Sequence, residues 1–480
     1  MKRLYLLGVS VLLIASPACG GDEPEPTAET GESGDGDGDT TGDGDGDPAT
    51  GDGDGDTTGD GDGDTTGDGD GDTTGDGDGD TPEPSSFWVG IDVRDVDPNQ
   101  EQLDTIYLGG FDAPLAGGTA TGIHDSIYVR SFAVGLGEEG VVFTVVDVTG
   151  MGNQITRAIR DQAANLTGLS RDHIIVAATH THAGPDFQGL WGGIGDSYKQ
   201  FVINETVGSM LAAWQTRVPA NLEVASSSAL NRNRRGHEER DDSIFMLQAR
   251  TLDDDALIGT MAAFAAHPVI IGDSNNDLSR DYCGYAVDAL EASTGAPAVL
   301  FNGILGDISP DVPEGDYADD FEEAEAYGTY VAEQAVLTLD EREPVDPLLV
   351  VDYDEWEMPV DNVLFNLAGQ AGLLLYDFDQ DFLSGTVLTQ STYVRLGTQA
   401  QLVAFPGESL TRNGLPLKQA MQTPYKAVLG NANDALGYFV PGDEWNIGLN
   451  DNYEESISVH PTAGDVTRGK ILDMIVADVF

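Results

Sequence analysis

The sequence predicts a mixed-sheet α/β fold: a single domain with its site at strand ends, preceded by a disordered acidic Gly-Asp arm. Three observations point there. Beyond residue 86, short apolar runs alternate with stretches of helical apolar spacing. Before it, a repeat of glycine, aspartate and threonine has no apolar periodicity. Finally, the polar residues with the most chemistry lie just beyond apolar runs, where the strands of α/β folds end and sites gather.

Residues 1–19 read as an export signal. Lys2 and Arg3 precede an apolar stretch from Leu4 to Ala15, and Ser16-Pro17-Ala18-Cys19 follows. Small residues before Cys19 resemble a lipoprotein box, which implies lipidation of Cys19 and attachment to a membrane surface; simple secretion is the alternative. Residues 20–86 carry the unit Thr-Thr-Gly-Asp-Gly-Asp-Gly-Asp, recurring from Thr40 to Asp80. Calcium-binding β-helix repeats need a buried aliphatic position in each unit, and none is present. The segment reads as a solvated, extended tether.

The net charge is −62. About 24 of the acids precede Phe87, which leaves about 60 acids against about 20 bases in the remainder. Such an acidic surface excludes nucleic acid as a partner, because phosphate binding needs a basic footprint. The cysteines are Cys19 and Cys283, so no disulfide framework is expected. No later stretch is long and apolar enough to span a bilayer.

From Phe87 the elements follow in order. Strands are predicted over Phe87–Val93, Ser126–Val134 and Val141–Asp147, a helix over 154–167, and a strand from Ile174 to Ala178. A helix from Tyr198 to Val218 precedes strands at 221–226, 243–250 and 257–266. A helix over 284–293 leads to the strand Ala298–Asn302, and helix recurs between Asp320 and Leu339. The last third gives strands at 350–356, 390–396, 401–405 and 425–429, with helices near 415–421 and 464–480.

The most informative stretch is Thr179-His180-Thr181-His182-Ala183-Gly184-Pro185. Two imidazoles two apart at a strand end suit one metal ligand beside an acid/base group. A pair of structural histidines near a turn is the bland alternative. His267 follows the run Met261–Ala266, Ser309 follows Val299–Phe301, and Glu408 follows Leu402–Phe405. Two histidines and a carboxylate from separate strands can form an open zinc site, a kind that serves amide and ester hydrolysis.

Several blocks together resemble the neutral/alkaline non-lysosomal ceramidases, zinc amidases that cleave the N-acyl bond of ceramide. They are Gly122-Ile123-His124 with Arg130, the Thr179–Pro185 block, Asn231-Arg232-Asn233-Arg234, Phe264–Pro268 and Ser279–Ala286. Gly306-Asp307-Ile308-Ser309-Pro310, Phe405-Pro406-Gly407-Glu408, Tyr438 and Tyr453-Glu454 complete the order. The resemblance implies Zn2+ on His180, His267, Glu408 and Tyr438, with His182 moving protons beside it. It implies that Arg234 holds the polar head of a lipid amide substrate and that Tyr453 stabilises the oxyanion. Ser309 matches a residue that acts as nucleophile or as substrate contact. The family carries a C-terminal immunoglobulin-like domain; the resemblance here is to the catalytic domain, 87–480. The turn after Pro185 and Asp311 depart from the family's pattern. Two alternatives stay open: hydrolysis of another N-acyl amine or ester, and a non-catalytic acidic surface lipoprotein that binds lipid or divalent ions. His124, His173, His237 and His460 read as structural or surface residues.

Overall fold

The computed structural model describes residues 86–111, 118–380, 384–446 and 453–480. The signal, the lipidation position Cys19 and the Gly-Asp arm lie outside the described residues. What is described belongs to the unit Asp78–Phe480.

The chain uses one connectivity three times. In the first unit, β1 (Phe87–Asp95), β2 (Tyr128–Leu136) and β3 (Glu139–Val146) form an antiparallel meander. Helix α1 (Asn153–Thr167) then crosses over to β4 (Ile174–Ala178), which pairs parallel with β3. Helix α2 (Asp196–Gln215) follows. The second unit repeats the pattern. β5 (Val218–Ser228), β6 (Ser243–Thr251) and β7 (Leu257–Phe264) are antiparallel, and α3 (Asp281–Thr294) crosses to β8 (Ala298–Asn302), parallel to β7. Helix α4 (Asp320–Val336) closes it. The third unit begins with β9 (Leu349–Val360), helix α5 (Val363–Gln370), β10 (Gly385–Leu396) and β11 (Ala400–Ala404). Helix α6 (Thr411–Ala420) then leads to β12 (Tyr425–Leu429), parallel to β11. Helix α7 (Ala463–Ala477) ends the ordered elements.

The first two units share a sheet of order β8-β7-β6-β5-β1-β2-β3-β4, and the third forms a second sheet, β9-β10-β11-β12. The core between them joins Phe132, Phe143, Leu247 and Phe301 of the first to Val394, Leu402 and Leu429 of the second. The outer face of the first sheet is covered by α1 and α2 in one half and by α3 and α4 in the other. The outer face of the second sheet packs against α5, α6 and α7. Four layers, α/β/β/α, result. Both faces of β2, β3, β4 and β8 are therefore buried, which is why these strands read as unbroken apolar runs.

The predicted strands and helices are present with shifted ends. The helix predicted to Val218 stops at Gln215, because Val218 to Ala220 pair with Phe87 to Val89 as strand. Helix α5 was not predicted. Its eight residues are too short and too apolar for a periodic signal, and Asn362 caps it through bonds from the Leu364 and Phe365 N–H groups.

The shared connectivity also explains where the site lies. The last strands of the three units are tied together at their carboxyl ends. The Gly430 N–H donates to the Asn302 carbonyl (2.8 Å), Asn302 Nδ2 to the Thr179 carbonyl (3.1 Å), and the Ala178 N–H to the Asn431 carbonyl (3.2 Å). In each unit the segment after the third strand then bonds to the segment after the fourth. These bonds run from Thr149 N–H to Pro185 O (3.3 Å), His267 N–H to Ile308 O (2.9 Å) and Glu408 N–H to Gly437 O (2.9 Å). Residues far apart in sequence are brought to one place by repeated use of one crossover.

Candidate metal centre

His180 sits two residues past the end of β4, with φ of 68°. That left-handed backbone is sparsely populated by residues other than glycine and costs on the order of 1–2 kcal/mol. It is what turns the chain here. Strand alternation, the reason expected from sequence, does not apply, because β4 ends at Ala178. The turn leaves His180 Nε2 3.4 Å from His182 Nε2 and 3.1 Å from His267 Nε2. All three imidazoles are buried and can offer ligand atoms to a single ion.

Two more donors reach the same point. Glu408 Oε2 lies 3.4 Å from both His180 Nε2 and His267 Nε2. The Tyr438 hydroxyl lies 3.3 Å from His267 Nε2. Glu408 and Tyr438 stand opposite each other in a two-residue parallel pair, Glu408–Ser409 with Tyr438–Phe439. Gly407 makes that approach possible, since a Cβ there would stand 2.4 Å from the Phe439 ring.

The neighbouring bonds sort the imidazoles. His180 Nδ1 bonds the Thr149 carbonyl, and His267 Nδ1 bonds the Leu305 carbonyl at 3.0 Å. A ring that donates Nδ1–H to a carbonyl presents the Nε2 lone pair, the arrangement usual for metal-ligating histidines. His182 differs. Its Nδ1 is buried and has no hydrogen-bond partner among the described residues. Its ring meets the edge of Phe111, with centroids 4.8 Å apart, and its N–H bonds the Pro268 carbonyl. Burial, then the charges of His180 and Arg234, push the His182 pKa well below the usual histidine range. Burial does the same to His267, helped by Arg234 and the other two imidazoles.

Arg232, Arg234 and Arg235 lie close together in sequence, and their surroundings separate them. Arg232 is exposed and pairs across a short ladder with Ser309. The Arg234 guanidinium lies 5.4 Å from the centre of the Tyr438 ring and donates from Nη2 to the Gly306 carbonyl (2.6 Å). Burial lowers its pKa, but the Tyr438 phenol, Glu454 and Glu408 outweigh that and raise it overall. Arg235 faces away, toward Glu444, Glu454 and Glu455. Burial pushes the Tyr438 phenol well above its usual range, against the opposing pull of Arg234.

Tyr453 packs edge-on against Tyr438 (centroids 5.8 Å apart) and is 40% exposed, so it links the cluster to solvent. Burial, with the nearby Glu408 charge, pushes its hydroxyl up to about 12. Ser309 is buried beside Ile308, whose carbonyl holds the His267 N–H, and its hydroxyl makes no hydrogen bond among the described residues. It lies next to the cluster, with no bond to it.

Residues 106–325 match the model of a family described as neutral/alkaline non-lysosomal ceramidase, N-terminal. Over that stretch the chain is similar to this family. Two solved ceramidase structures share its fold. A neutral ceramidase from Pseudomonas aeruginosa matches with a TM-score of 0.69 at 17% identity, over 82% of this chain and 74% of that one. A ceramidase complexed with C2 matches with a TM-score of 0.66 at 16% identity, over 82% and 75%. The ceramidase family match takes in His180, His182, Arg234, His267 and Ser309; Glu408, Tyr438 and Tyr453 lie beyond it, within the third unit.

Several groups around the cluster had no role assigned to them by the sequence. The carbonyls of Thr149 and Leu305 are backbone groups that any residue supplies. Asp186 accepts five backbone N–H bonds, from Gln188, Gly189, Trp191, Gly192 and Gly193. It builds the turn after Pro185. Asp307 accepts from Thr411 N–H and Oγ1 and from Asn233 Nδ2, joining the Arg234, Ser309 and Glu408 segments. The four remaining histidines have partners outside the cluster. His124 stacks on Phe321, His173 bonds the Gly140 carbonyl, and His237 and His460 pair with Glu444 and Asp361.

Proposed function

We propose that the chain is a zinc-dependent amidohydrolase that cleaves the linear amide of ceramide or a related N-acyl lipid, releasing fatty acid and amine. The family match over residues 106–325 supports ceramide hydrolysis in general. The observation that carries the finer reading is the spacing of the donors. Neighbouring donor atoms of His180, His267, Glu408 and Tyr438 lie 3.1–3.4 Å apart. Ligands about 2.0–2.1 Å from a tetrahedral zinc ion are separated by roughly 3.3 Å. Glu408 Oε2 is buried without a hydrogen-bond partner among the described residues, although it faces two imidazole nitrogens. A buried, unsatisfied carboxylate oxygen is costly, and a cation between the three groups removes that cost.

In this reading His180, His267, Glu408 and Tyr438 hold the ion. When bound, it supplies Lewis acidity to water and to the amide carbonyl. His182, whose Nδ1 has no hydrogen-bond partner among the described residues and whose pKa is depressed, is neutral and can take up a proton and return it to the leaving amine. Its aromatic neighbour Phe111 limits its rotation. Tyr453 remains protonated, with its pKa near 12, and can donate to the developing oxyanion. Arg234 holds the substrate's polar head. Ser309 takes the role of a substrate contact at the wall beside His267. We extend the proposal to the arrangement of the chain: export, lipidation at Cys19, and a Gly-Asp tether carrying the catalytic domain 87–480. Among the described residues no helix is long and apolar enough to cross a membrane.

The test is chelation followed by metal return, with both products quantified from ceramide and from a panel of other N-acyl amines and esters. Equimolar fatty acid and sphingoid base, lost on chelation and restored by zinc, is the expected result. Undiminished activity in fully chelated protein or in His180→Ala contradicts the metal assignment. A preference for esters or acyl peptides redirects the substrate.

A further inference from the structure

Among the described residues, Glu454 is the one carboxylate that grips both members of the Arg234-Arg235 pair. Its Oε1 accepts from Arg234 Nε (3.1 Å) and its Oε2 from Arg235 Nη1 (3.0 Å). It is buried, and it follows Tyr453 directly in the single helical turn Tyr453–Ser456. Arg235 continues to Glu455 (3.3 Å) and Glu444 (3.5 Å), so Glu454 is held in place independently of Arg234.

The bonds on Arg234 fix how its planar fork is rolled. Nε is committed to Glu454, and Nη2 to the Gly306 carbonyl at 2.6 Å. Nη1 is thereby left for the Tyr438 side of the guanidinium and for whatever binds there. Two fixed nitrogens of a rigid plane determine where the third points. Without Glu454 the Nε anchor is lost, and the Gly306 carbonyl and the Tyr438 hydroxyl alone hold the plane.

We infer that Glu454 is a positioning residue for substrate recognition. It sets the roll of the Arg234 guanidinium so that Nη1 faces the polar head of the lipid amide, and it ties that setting to the neighbouring, solvent-exposed Tyr453. This rests on the functional reading above. The substrate class it selects is an N-acyl amine bearing a hydroxyl near the amide, as opposed to a plain N-alkyl amide. A hydrogen bond to a charged group is worth roughly 10- to 100-fold in discrimination.

The test compares wild type, Glu454→Gln, Arg234→Gln and the double variant on two amides that differ only in the head hydroxyl. Zinc content and melting temperature are measured alongside. Glu455→Gln is the control, since Glu455 bonds Arg235 and the Asn446 N–H and makes no bond to Arg234. The expected result is a loss of about 10-fold or more in kcat/KM for Glu454→Gln on the hydroxylated amide. The plain amide should change little, and the effect should shrink to near nothing in the Arg234→Gln background. Glu455→Gln keeps the discrimination. Solvent exchange of the Arg234 Nε–H, followed by NMR, supplies a readout independent of turnover and should accelerate at least several-fold in Glu454→Gln. An equal loss on both amides, an equal loss in both backgrounds, or an unchanged Nε–H overturns the inference. A faster-exchanging Nε–H in a protein that cleaves neither amide supports the placement of Arg234 and overturns the functional reading instead.

Discussion

Gly110→Ala tests the role of His182 without touching any residue of the cluster. A Cβ on Gly110 would stand 2.2 Å from His182 Cγ and 2.3 Å from its Nδ1. Carbon atoms in contact prefer about 3.5–4.0 Å, so the imidazole must recede by more than about 1 Å. Misplacing a catalytic group by that amount costs on the order of 100-fold, and complete loss of a general acid–base costs about 10²–10⁴. The Gly110 φ of 100° adds a stability cost of roughly 1–2 kcal/mol for an L residue. Gly168→Ala separates these effects. Its φ is 82°, but nothing lies within 4 Å of the added Cβ. Both variants should lose a few degrees of melting temperature, while Gly110→Ala alone loses about 100-fold or more in kcat and still retains its metal. The assay is ceramide turnover with metal content measured on the same samples. If Gly110→Ala turns over like Gly168→Ala, His182 does not move the proton. If it loses the metal instead, His182 is a ligand.

Further outcomes follow from other buried groups. Asp186→Ala leaves five backbone N–H groups without their acceptor and should destabilise the chain by several kcal/mol in urea unfolding, while an unchanged midpoint would refute its structural role. Asp281 is buried among backbone donors, and burial raises its pKa to about 7. Its folded form therefore keeps a proton that the unfolded chain releases near pH 4. The stability tied to this group is full below about pH 4 and is lost as pH rises to about 7. Asp281→Asn should flatten that decline, seen as a smaller difference between unfolding free energies at pH 5 and pH 7.5; an identical pH slope contradicts the raised pKa. His267→Ala leaves Glu408 and Tyr438 facing one imidazole fewer. It should lower zinc affinity by at least about 100-fold, measured by competition with a chromogenic chelator.

Much of this site was legible because its side chains lie just past apolar runs. Ile174–Ala178, Met261–Ala266 and Leu402–Phe405 are buried on both faces, so they stand out in sequence, and His180, His267 and Glu408 follow them. Tyr438 follows its strand Tyr425–Leu429 by nine residues, and only resemblance to the ceramidase family singled it out. The threefold use of one connectivity was not legible. It is a repetition of strand order and crossover, and β4, β8 and β12 share no side-chain pattern beyond being apolar. The Nδ1 acceptors on Thr149 and Leu305 are carbonyls, which no sequence pattern marks. Glu454 stood next to Tyr453 in sequence without a role, because its two arginine partners lie more than 200 residues away. The pairing of His180 with His182 was read correctly as a juxtaposition but for a different cause, a left-handed residue in place of strand alternation.

The most direct measurement is the stoichiometry and affinity of zinc in the purified chain. Convergence of His180, His267, Glu408 and Tyr438 predicts one tightly held ion per chain, released by chelator and restored to one on return. It also predicts that Glu408→Gln weakens binding while the fold persists. A folded protein that takes up no zinc, or one whose zinc is indifferent to Glu408→Gln and His267→Ala together, contradicts the account.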